Sequence, residues 1–201
     1  MNPDKKREQI LVVVSALYAT GQGEKVESLL RSEFSFPGTD RRFFEELFIH
    51  LSLVLGFPTM IDGLENLSKV SSPESRPRRK INPGTGHLLL RRVYGNRTKK
   101  LLANLRSIHP ELPAWVVRDV YGKVFSRKGL TLRERELCNV IVLSFQNLEK
   151  QLRSHVRGAQ RAGMQVSDLR RALRLAMKMT GRKKLRAIEF LRPVVSQKKK
   201  T

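Results

Sequence analysis

One segment, residues 131–163, constrains the fold more than any other part of the chain. Apolar residues recur there at helical spacing over 137–145 and again over 148–162. Thr131, followed three residues later by Glu134, has the form of a capping box and predicts where the first helix begins. The segment therefore predicts two helices in a hairpin, the first of them almost wholly buried.

Two polar residues interrupt this apolar pattern, Glu136 in the first helix and His155 in the second. They stand 19 positions apart, and a helical hairpin can bring them together across its interface. A buried carboxylate beside an imidazole is a candidate pair for proton transfer, because each group perturbs the protonation of the other. The alternative is an ion pair or hydrogen bond that only holds two helices together.

Short motifs surround this pair. They are Arg-Glu-Arg-Glu-Leu at 133–137, Gln151-Leu152, His155, Gly158-Ala159 and Ala162-Gly163, preceded by Val93-Tyr94-Gly95, Pro110 and Leu112, Tyr121-Gly122 and Val124, Arg127 and Gly129-Leu130. Together they resemble two-repeat members of the carboxymuconolactone decarboxylase and alkylhydroperoxidase D family, over residues 86–192. The resemblance implies an all-α helical bundle made of two repeats, and oligomers such as trimers or hexamers.

The chain departs from the redox members of that family. Those members carry a Cys-x-x-Cys pair between the glutamate and the histidine, and Leu148 and Gln151 stand at these positions here. Without a thiol pair there is no disulfide exchange, so thiol peroxidase chemistry is not expected. The single cysteine, Cys138, is interpreted as a small core residue. Glu136 and His155 match the acid–base positions of the family, which leaves a decarboxylase- or lyase-like activity open.

The charge of the chain is strongly basic and unevenly distributed. The net charge is +22, with −2 in residues 1–70 and +24 in residues 71–201. Such a field favours polyanionic partners, since neutralised phosphates release counterions. A membrane surface is not favoured, because no hydrophobic anchor accompanies the charge. One cysteine excludes an internal disulfide, and we expect a cytoplasmic protein.

Two groups of basic residues are the candidate nucleic-acid contacts, with RNA or a ribonucleoprotein favoured over DNA. No zinc-finger, helix-turn-helix or RNP motif accompanies them, so backbone or shape recognition is expected. The candidates are Arg76, Arg78, Arg79 and Lys80 in a linker, and Arg153, Arg157, Arg161, Arg170, Arg171, Arg174, Lys178, Arg182, Lys183, Lys184 and Arg186 after the hairpin.

The chain divides into four parts. We interpret 1–70 as an N-terminal helical repeat, 71–86 as a basic linker rich in Pro, Gly and Ser, 87–192 as the C-terminal repeat, and 193–201 as a lysine-rich tail. The repeat has an offset of 125–128 residues. It aligns Arg7-Glu8 with Arg135-Glu136, Gly56 with Gly181, and Glu27 with His155, so the first copy lacks the histidine.

Neither a metal nor a cofactor is expected, because no second histidine or cysteine stands at ligand spacing. We interpret His50 as a helix-interface residue. Tyr94, Trp115 and Tyr121 could stack on bases, but aromatic residues in amphipathic helices favour a role in the core.

The sequence leaves two functions open, and enzyme activity is uncertain. One is a redox-inactive protein that binds nucleic acid or a ribonucleoprotein through its basic C-terminal face, and the bulk charge favours it. The other is a cofactor-free lyase or hydrolase, in which Glu136 and His155 exchange a proton with an anionic substrate.

Overall fold

The computed structural model describes residues 2–34, 36–73, 83–185 and 187–191. These residues form an all-α protein, and no strand occurs among them. The α-helices are α1 (Pro3–Ala19), α2 (Val26–Glu33), α3 (Arg41–Ser68), α4 (Pro83–Tyr94), α5 (Thr98–Ile108), α6 (Leu112–Trp115), α7 (Leu132–Gln146), α8 (Glu149–Arg161), α9 (Val166–Thr180) and α10 (Ala187–Phe190). A π-helical segment, Val116–Phe125, continues α6.

The predicted hairpin is α7 and α8. The Thr131 side chain accepts a hydrogen bond from the Glu134 backbone N–H, and the Glu134 carboxylate accepts one from the Thr131 backbone N–H. This reciprocal capping box confirms the predicted start of α7. The hairpin turns at Asn147, which adopts the left-handed conformation with φ 57°.

The middle of the chain differs from the sequence prediction in two places. Helix α4 begins at Pro83, so the last residues of the predicted linker 71–86 are helical. Proline suits a first helical turn, because its missing N–H has no partner there. The apolar pattern of residues 87–106 predicts one continuous helix, but Gly95, whose φ is 59°, ends α4 before α5 begins.

Helix α3 is long and apolar enough to cross a membrane by length and composition alone, with 28% of its most apolar window buried. Gly56, at φ 84°, interrupts its helical geometry and divides it into two shorter pieces. Core helices pass the same test of length and composition, so the finding is weak evidence for a membrane.

The first half of the molecule, α1 to α3, and the second half, α7 to α10, turn at matching positions. Positive φ angles occur at three pairs of residues that are 125 or 126 positions apart. The pairs are Gly21 with Asn147, Gly38 with Gly163, and Gly56 with Gly181.

Reciprocal ion pairs join the two halves. Arg7 Nε lies 2.8 Å from Glu134 Oε1, and Arg133 Nε lies 2.7 Å from Glu8 Oε1. These contacts make Arg7 equivalent to Arg133, an offset of 126. The sequence alignments of Arg7 with Arg135 and of Glu27 with His155 were therefore wrong by two residues, and the counterpart of His155 is Leu29.

The same offset relates the core residues at the centre. Val12 and Ala16 of α1 pack into the apolar core enclosed by α7 to α10, here called the second-half core. Cys138 and Val142 of α7 pack into the apolar core enclosed by α1 to α3, here called the first-half core. Each pair is spaced by one helical turn. The central helices α1 and α7 thus exchange matching faces between the two cores.

Candidate active site

Glu136 and His155 are in direct contact. His155 Nδ1 lies 2.7 Å from Glu136 Oε2, and the two residues come from facing positions of α7 and α8. The Glu136 side chain is fully buried, while 18% of the His155 side chain is exposed. Glu136 Oε1 is buried and has no hydrogen-bond partner.

A glycine makes this contact possible. A Cβ atom at Gly158 in α8 would lie 2.8 Å from Glu136 Oε2 and 2.9 Å from its Cδ. The carboxylate therefore occupies the space that any larger residue would fill, and α8 can approach α7 only with glycine at this position.

Two further polar residues extend the network into the first half. Asn139 Nδ2 lies 3.2 Å from His155 Nδ1, and Asn139 Oδ1 lies 3.1 Å from His50 Nε2. His50 Nε2 is also 3.0 Å from the carbonyl oxygen of Arg135. A carbonyl only accepts, so His50 must carry its proton on Nε2 and donate from there.

His50 is neutral in the folded protein. Burial, followed by the charge of Arg135, lowers the pKa of His50 to about 3. Its proton on Nε2 holds Asn139 with the oxygen toward His50 and the amide nitrogen toward His155. Since the contact of His155 with Glu136 is the shorter one, we assign Nδ1–H as the donor to that carboxylate.

A cavity of about 330 Å³ opens beside His155. Apolar side chains and a few polar groups line it, as is common for small-molecule sites. The lining residues are Leu53, Val54, Tyr94, Val116, Val120, Tyr121, Phe125, Asn139, Leu143, Gln146, Leu148, Gln151 and His155. The first half, the middle of the chain and the hairpin all contribute to its wall.

Two tyrosines on the cavity wall stay protonated. Burial, and then the charge of Glu136, raises the pKa of Tyr94. Burial, followed by Tyr94 and Glu136, raises the pKa of Tyr121 well above its usual value of 10. Both hydroxyl groups therefore keep their protons, and the two side chains hydrogen-bond to each other, which leaves one hydroxyl proton as a donor to a ligand.

The positions of the family's cysteines lie on this cavity. Leu148 and Gln151 both line it and offer no thiol. Cys138 is fully buried on the side of α7 that faces the first-half core. Burial raises the pKa of Cys138 to about 12, which suits an unreactive core thiol.

Among the described residues, no group of three or more His, Cys, Asp or Glu side chains could hold a metal ion. Asn139 lies between His50 and His155: its Oδ1 accepts from His50 Nε2, and its Nδ2 lies 3.2 Å from His155 Nδ1.

The predicted basic residues are spread over several elements. Arg153, Arg157 and Arg161 follow one another at four-residue spacing on α8, and Arg170, Arg174 and Lys178 do so on α9. Arg171 pairs with Asp168, and Arg182, Lys183 and Lys184 are exposed after α9. Arg76, Arg78, Arg79, Lys80 and Arg186 lie outside the described residues.

The sequence predicted the contact of Glu136 with His155 but not which residues surround it. Tyr94 and Tyr121 lie on separate elements far from the hairpin in sequence, and no spacing pattern links them to it. Asn139 could have been included from the sequence, because it places an amide three residues after Glu136 in a nearly apolar helix.

Comparison with known protein families gives a match over the C-terminal part of the chain. Residues 110–192 match the Carboxymuconolactone decarboxylase family. No curated protein matches the chain. The fold and the match together define an all-α, carboxymuconolactone decarboxylase-like protein. Its C-terminal part, residues 110–192, is similar to that family, which supports the predicted resemblance.

Proposed function

We propose that Glu136 and His155 form an acid–base site that acts on a small anionic molecule bound in the cavity. The observation that carries this proposal is their contact at 2.7 Å beside a cavity of about 330 Å³. The equivalent positions of the first half, at an offset of 126, hold Ile10 and Leu29, which pack in an apolar core. The duplicated helix packing thus forms without a polar pair, so a purely structural role explains the pair poorly.

The arrangement suggests a division of roles. Glu136 accepts the Nδ1 proton and orients the ring, which leaves Nε2 of His155 as the base for a proton of the ligand. Tyr94 and Tyr121 hydrogen-bond to each other, and the hydroxyl proton that the pair does not use internally donates where negative charge develops on a ligand oxygen. This chemistry fits a lyase or hydrolase that needs no cofactor.

The test compares His155→Ala with the unchanged protein on a panel of carboxylated lactones and 2- and 3-oxo acids, followed by NMR. We expect turnover of at least one compound by the unchanged chain and a loss of about 100-fold or more in His155→Ala, the usual contribution of general acid–base catalysis. His109→Ala is the matched control, because His109 is exposed and lies outside the cavity.

Two outcomes would contradict the acid–base site. One is equal turnover by His155→Ala and the unchanged protein. The other is that no member of the panel is converted. Urea unfolding of each variant shows that any loss is not a loss of fold.

A second proposal is that the protein binds nucleic acid, with RNA or a ribonucleoprotein favoured, through its basic C-terminal residues. The supporting observation is that Arg153, Arg157 and Arg161 on α8, and Arg174 and Lys178 on α9, are exposed at helical spacing. Each helix therefore presents a row of cations on one side. Assembly into trimers or hexamers and a cytoplasmic location stay predictions of the sequence.

Charge reversal of Arg182, Lys183, Lys184 and Arg186 tests the second proposal. Binding of labelled RNA and duplex DNA is measured across a salt series with nuclease-treated protein. We expect binding to be lost at physiological salt, and the slope of log affinity against log salt to fall by about three to four. Reversal of Arg118, which pairs with Asp119 at 2.7 Å, is the control. Unchanged binding by the fourfold variant would exclude this surface.

A further inference from the structure

The contact of Asn139 with His155 brings two hydrogen-bond donors together. His155 Nδ1–H donates to Glu136 Oε2 at 2.7 Å, yet Asn139 Nδ2 lies only 3.2 Å from the same ring nitrogen. Neither an amide nitrogen nor a protonated Nδ1 can accept a hydrogen bond. The amide of Asn139 therefore has no acceptor at this ring as long as Nδ1 keeps its proton.

Asn139 cannot relieve this contact by turning its oxygen toward His155, because His50 holds that oxygen. His50 Nε2 lies 3.1 Å from Asn139 Oδ1 and 3.0 Å from the Arg135 carbonyl oxygen, which fixes the ring proton on Nε2. The His50 ring is fully buried. A turned amide would set its nitrogen against Nε2–H of His50, so the contact between two donors would only move to the other ring.

Glu136 has few groups to stabilise a negative charge. Its side chain is fully buried, its Oε1 has no hydrogen-bond partner, and its one ion pair with a described residue is that with His155. His50 and the two tyrosines of the cavity wall are uncharged. Arg153 and Arg157, which flank His155 on α8, are exposed to solvent. A carboxylate in such surroundings is costly, whereas a neutral carboxyl group is tolerated.

When Nε2 of His155 takes a proton from a ligand, the pair can hold it in two ways. In the first, the ring becomes an imidazolium beside the Glu136 carboxylate, and Asn139 still faces an N–H group. In the second, Nδ1 passes its own proton across the 2.7 Å contact to Glu136 Oε2. Both side chains are then neutral, and the lone pair of Nδ1 accepts from the Glu136 hydroxyl and from Asn139 Nδ2. Only the second arrangement gives Asn139 an acceptor.

We propose that Asn139, held by His50, is a positioning residue that directs the proton abstracted by His155 onto Glu136. This inference rests on the acid–base function proposed above. The bond between the ligand and its proton breaks, the electron pair stays on the ligand, and Nε2–H forms. Nδ1–H breaks and Glu136 Oε2–H forms. The carboxyl group thus ends neutral, whereas the carboxylate of a Ser-His-Asp triad stays charged.

The repeat shows that the helix packing does not require these two polar residues. Val13 stands at the position equivalent to Asn139, at an offset of 126, and Leu175 at the position equivalent to His50, at an offset of 125. Both pack in the first-half core. A polar link from α3 through α7 to α8 therefore occurs only beside the cavity.

Nitrogen NMR of the full chain, with 15N-labelled histidine, tests the location of the proton without a ligand. The signals of His155 are those that His155→Ala lacks. As acidification adds the first proton to the pair, we expect Nδ1 to lose its proton and Nε2 to gain one. In Asn139→Leu the ratio of imidazolium to neutral ring at this step should rise about three- to tenfold, the effect of one hydrogen bond.

His50→Phe is the second variant. It frees the amide of Asn139 to turn its oxygen toward Nδ1–H, so the imidazolium should gain in the same direction. Asn104→Leu, the same change at an exposed position of α5, should leave the ring nitrogens unaltered. Urea unfolding shows that each variant is folded.

The proposal is overturned if both ring nitrogens of the unchanged protein carry protons at this step, or if Asn139→Leu and His50→Phe both leave the ratio unaltered. The readout needs no turnover, so it separates the two ideas. Ring nitrogens that exchange roles in a protein that converts no compound would contradict the acid–base function alone. Turnover without that exchange would contradict the role of Asn139 alone.

Discussion

The two halves of the molecule share their turns and their central ion pairs, yet they use the contact between first and second helix differently. In the second half that contact holds Glu136 and His155, and in the first half it holds Ile10 and Leu29. The apolar version packs well, with Ile10 only 2% exposed. Only the second half has a polar pair at this contact, so the fold itself does not require one.

The halves also differ in what covers the groove beside their central arginine. In the first half residues 126–130, here called the covering segment, lie over Arg7, whose Nη2 donates to the Gly129 carbonyl. In the second half Arg133 borders a groove of about 700 Å³ that Asn2, Asp4 and Lys5 also line, here called the open groove. Each arginine contacts a glutamate through Nε and a glycine carbonyl through Nη1, but Nη2 contacts the Gly129 carbonyl in Arg7 and Asp168 in Arg133. Substitution of each arginine therefore measures how much the covering segment contributes.

The largest expected effect comes from removing the covered arginine. Arg7→Ala breaks an ion pair and two carbonyl contacts, and removes a stack on Phe43 at 4.3 Å. We expect a loss of about 3 kcal/mol in the free energy of unfolding, within the range for partly buried ion pairs. Arg133→Ala should cost about 1–2 kcal/mol, because the Arg133 side chain is 30% exposed against 18% for Arg7.

Urea unfolding of both variants measures this difference. If both variants lose the same free energy of unfolding, the covering segment does not strengthen the contacts of Arg7. The covered and the open groove would then not differ in stability.

The next effect concerns pH and is confined to the first half, where His50 has the apolar Leu175 as its counterpart at an offset of 125. The folded protein keeps His50 neutral down to about pH 3, whereas the unfolded chain takes up a proton below about pH 6.5. The unfolded state therefore binds more protons, and His50 makes the protein lose about 1.4 kcal/mol per pH unit as the pH falls from 6.5 toward 3.

His50→Gln removes this slope. The stability advantage of the unchanged protein over the variant should shrink by about 2–3 kcal/mol between pH 6.5 and 4.5, as measured by urea unfolding at several pH values. His87→Gln, a change at an exposed histidine, should show no such trend. A constant difference between the His50 variant and the unchanged protein would show that the ring is not held neutral.

The smallest effect comes from making the halves more alike. Cys138 is equivalent to Val12 at an offset of 126, and both are buried in apolar cores. Cys138→Val should change the free energy of unfolding by less than about 1.5 kcal/mol, because the volumes are similar. In the folded protein without substitutions, Cys138 should also not react with a thiol reagent until the chain unfolds. Rapid reaction of the folded protein would contradict the burial of Cys138.

Much of the hairpin could be predicted because its signals are local. The capping box at Thr131, the burial of Cys138 and the contact of Glu136 with His155 all follow from helical periodicity within one segment. The family resemblance added the all-α fold, and the match over residues 110–192 supports that resemblance.

The cavity and the repeat register could not be predicted in the same way. Tyr94 and Tyr121 reach the site through packing of the middle of the chain, which no local pattern specifies. The repeated Arg-Glu of residues 133–136 allows Arg7 to align with either Arg133 or Arg135. Only the reciprocal ion pairs, which are contacts across the molecule, decide between them.

The covering segment has a consequence for synthesis of the chain. The first-half core contains Leu130, Cys138 and Val142, which the ribosome adds long after residues 2–68 have emerged. Until then a nascent first half exposes the apolar faces of α1 and α3. Its closure depends on contacts more than 100 residues apart, such as that of Arg7 with Gly129. The first half therefore completes its folding only after the second has begun to form, and slow, chaperone-dependent maturation is the expected result.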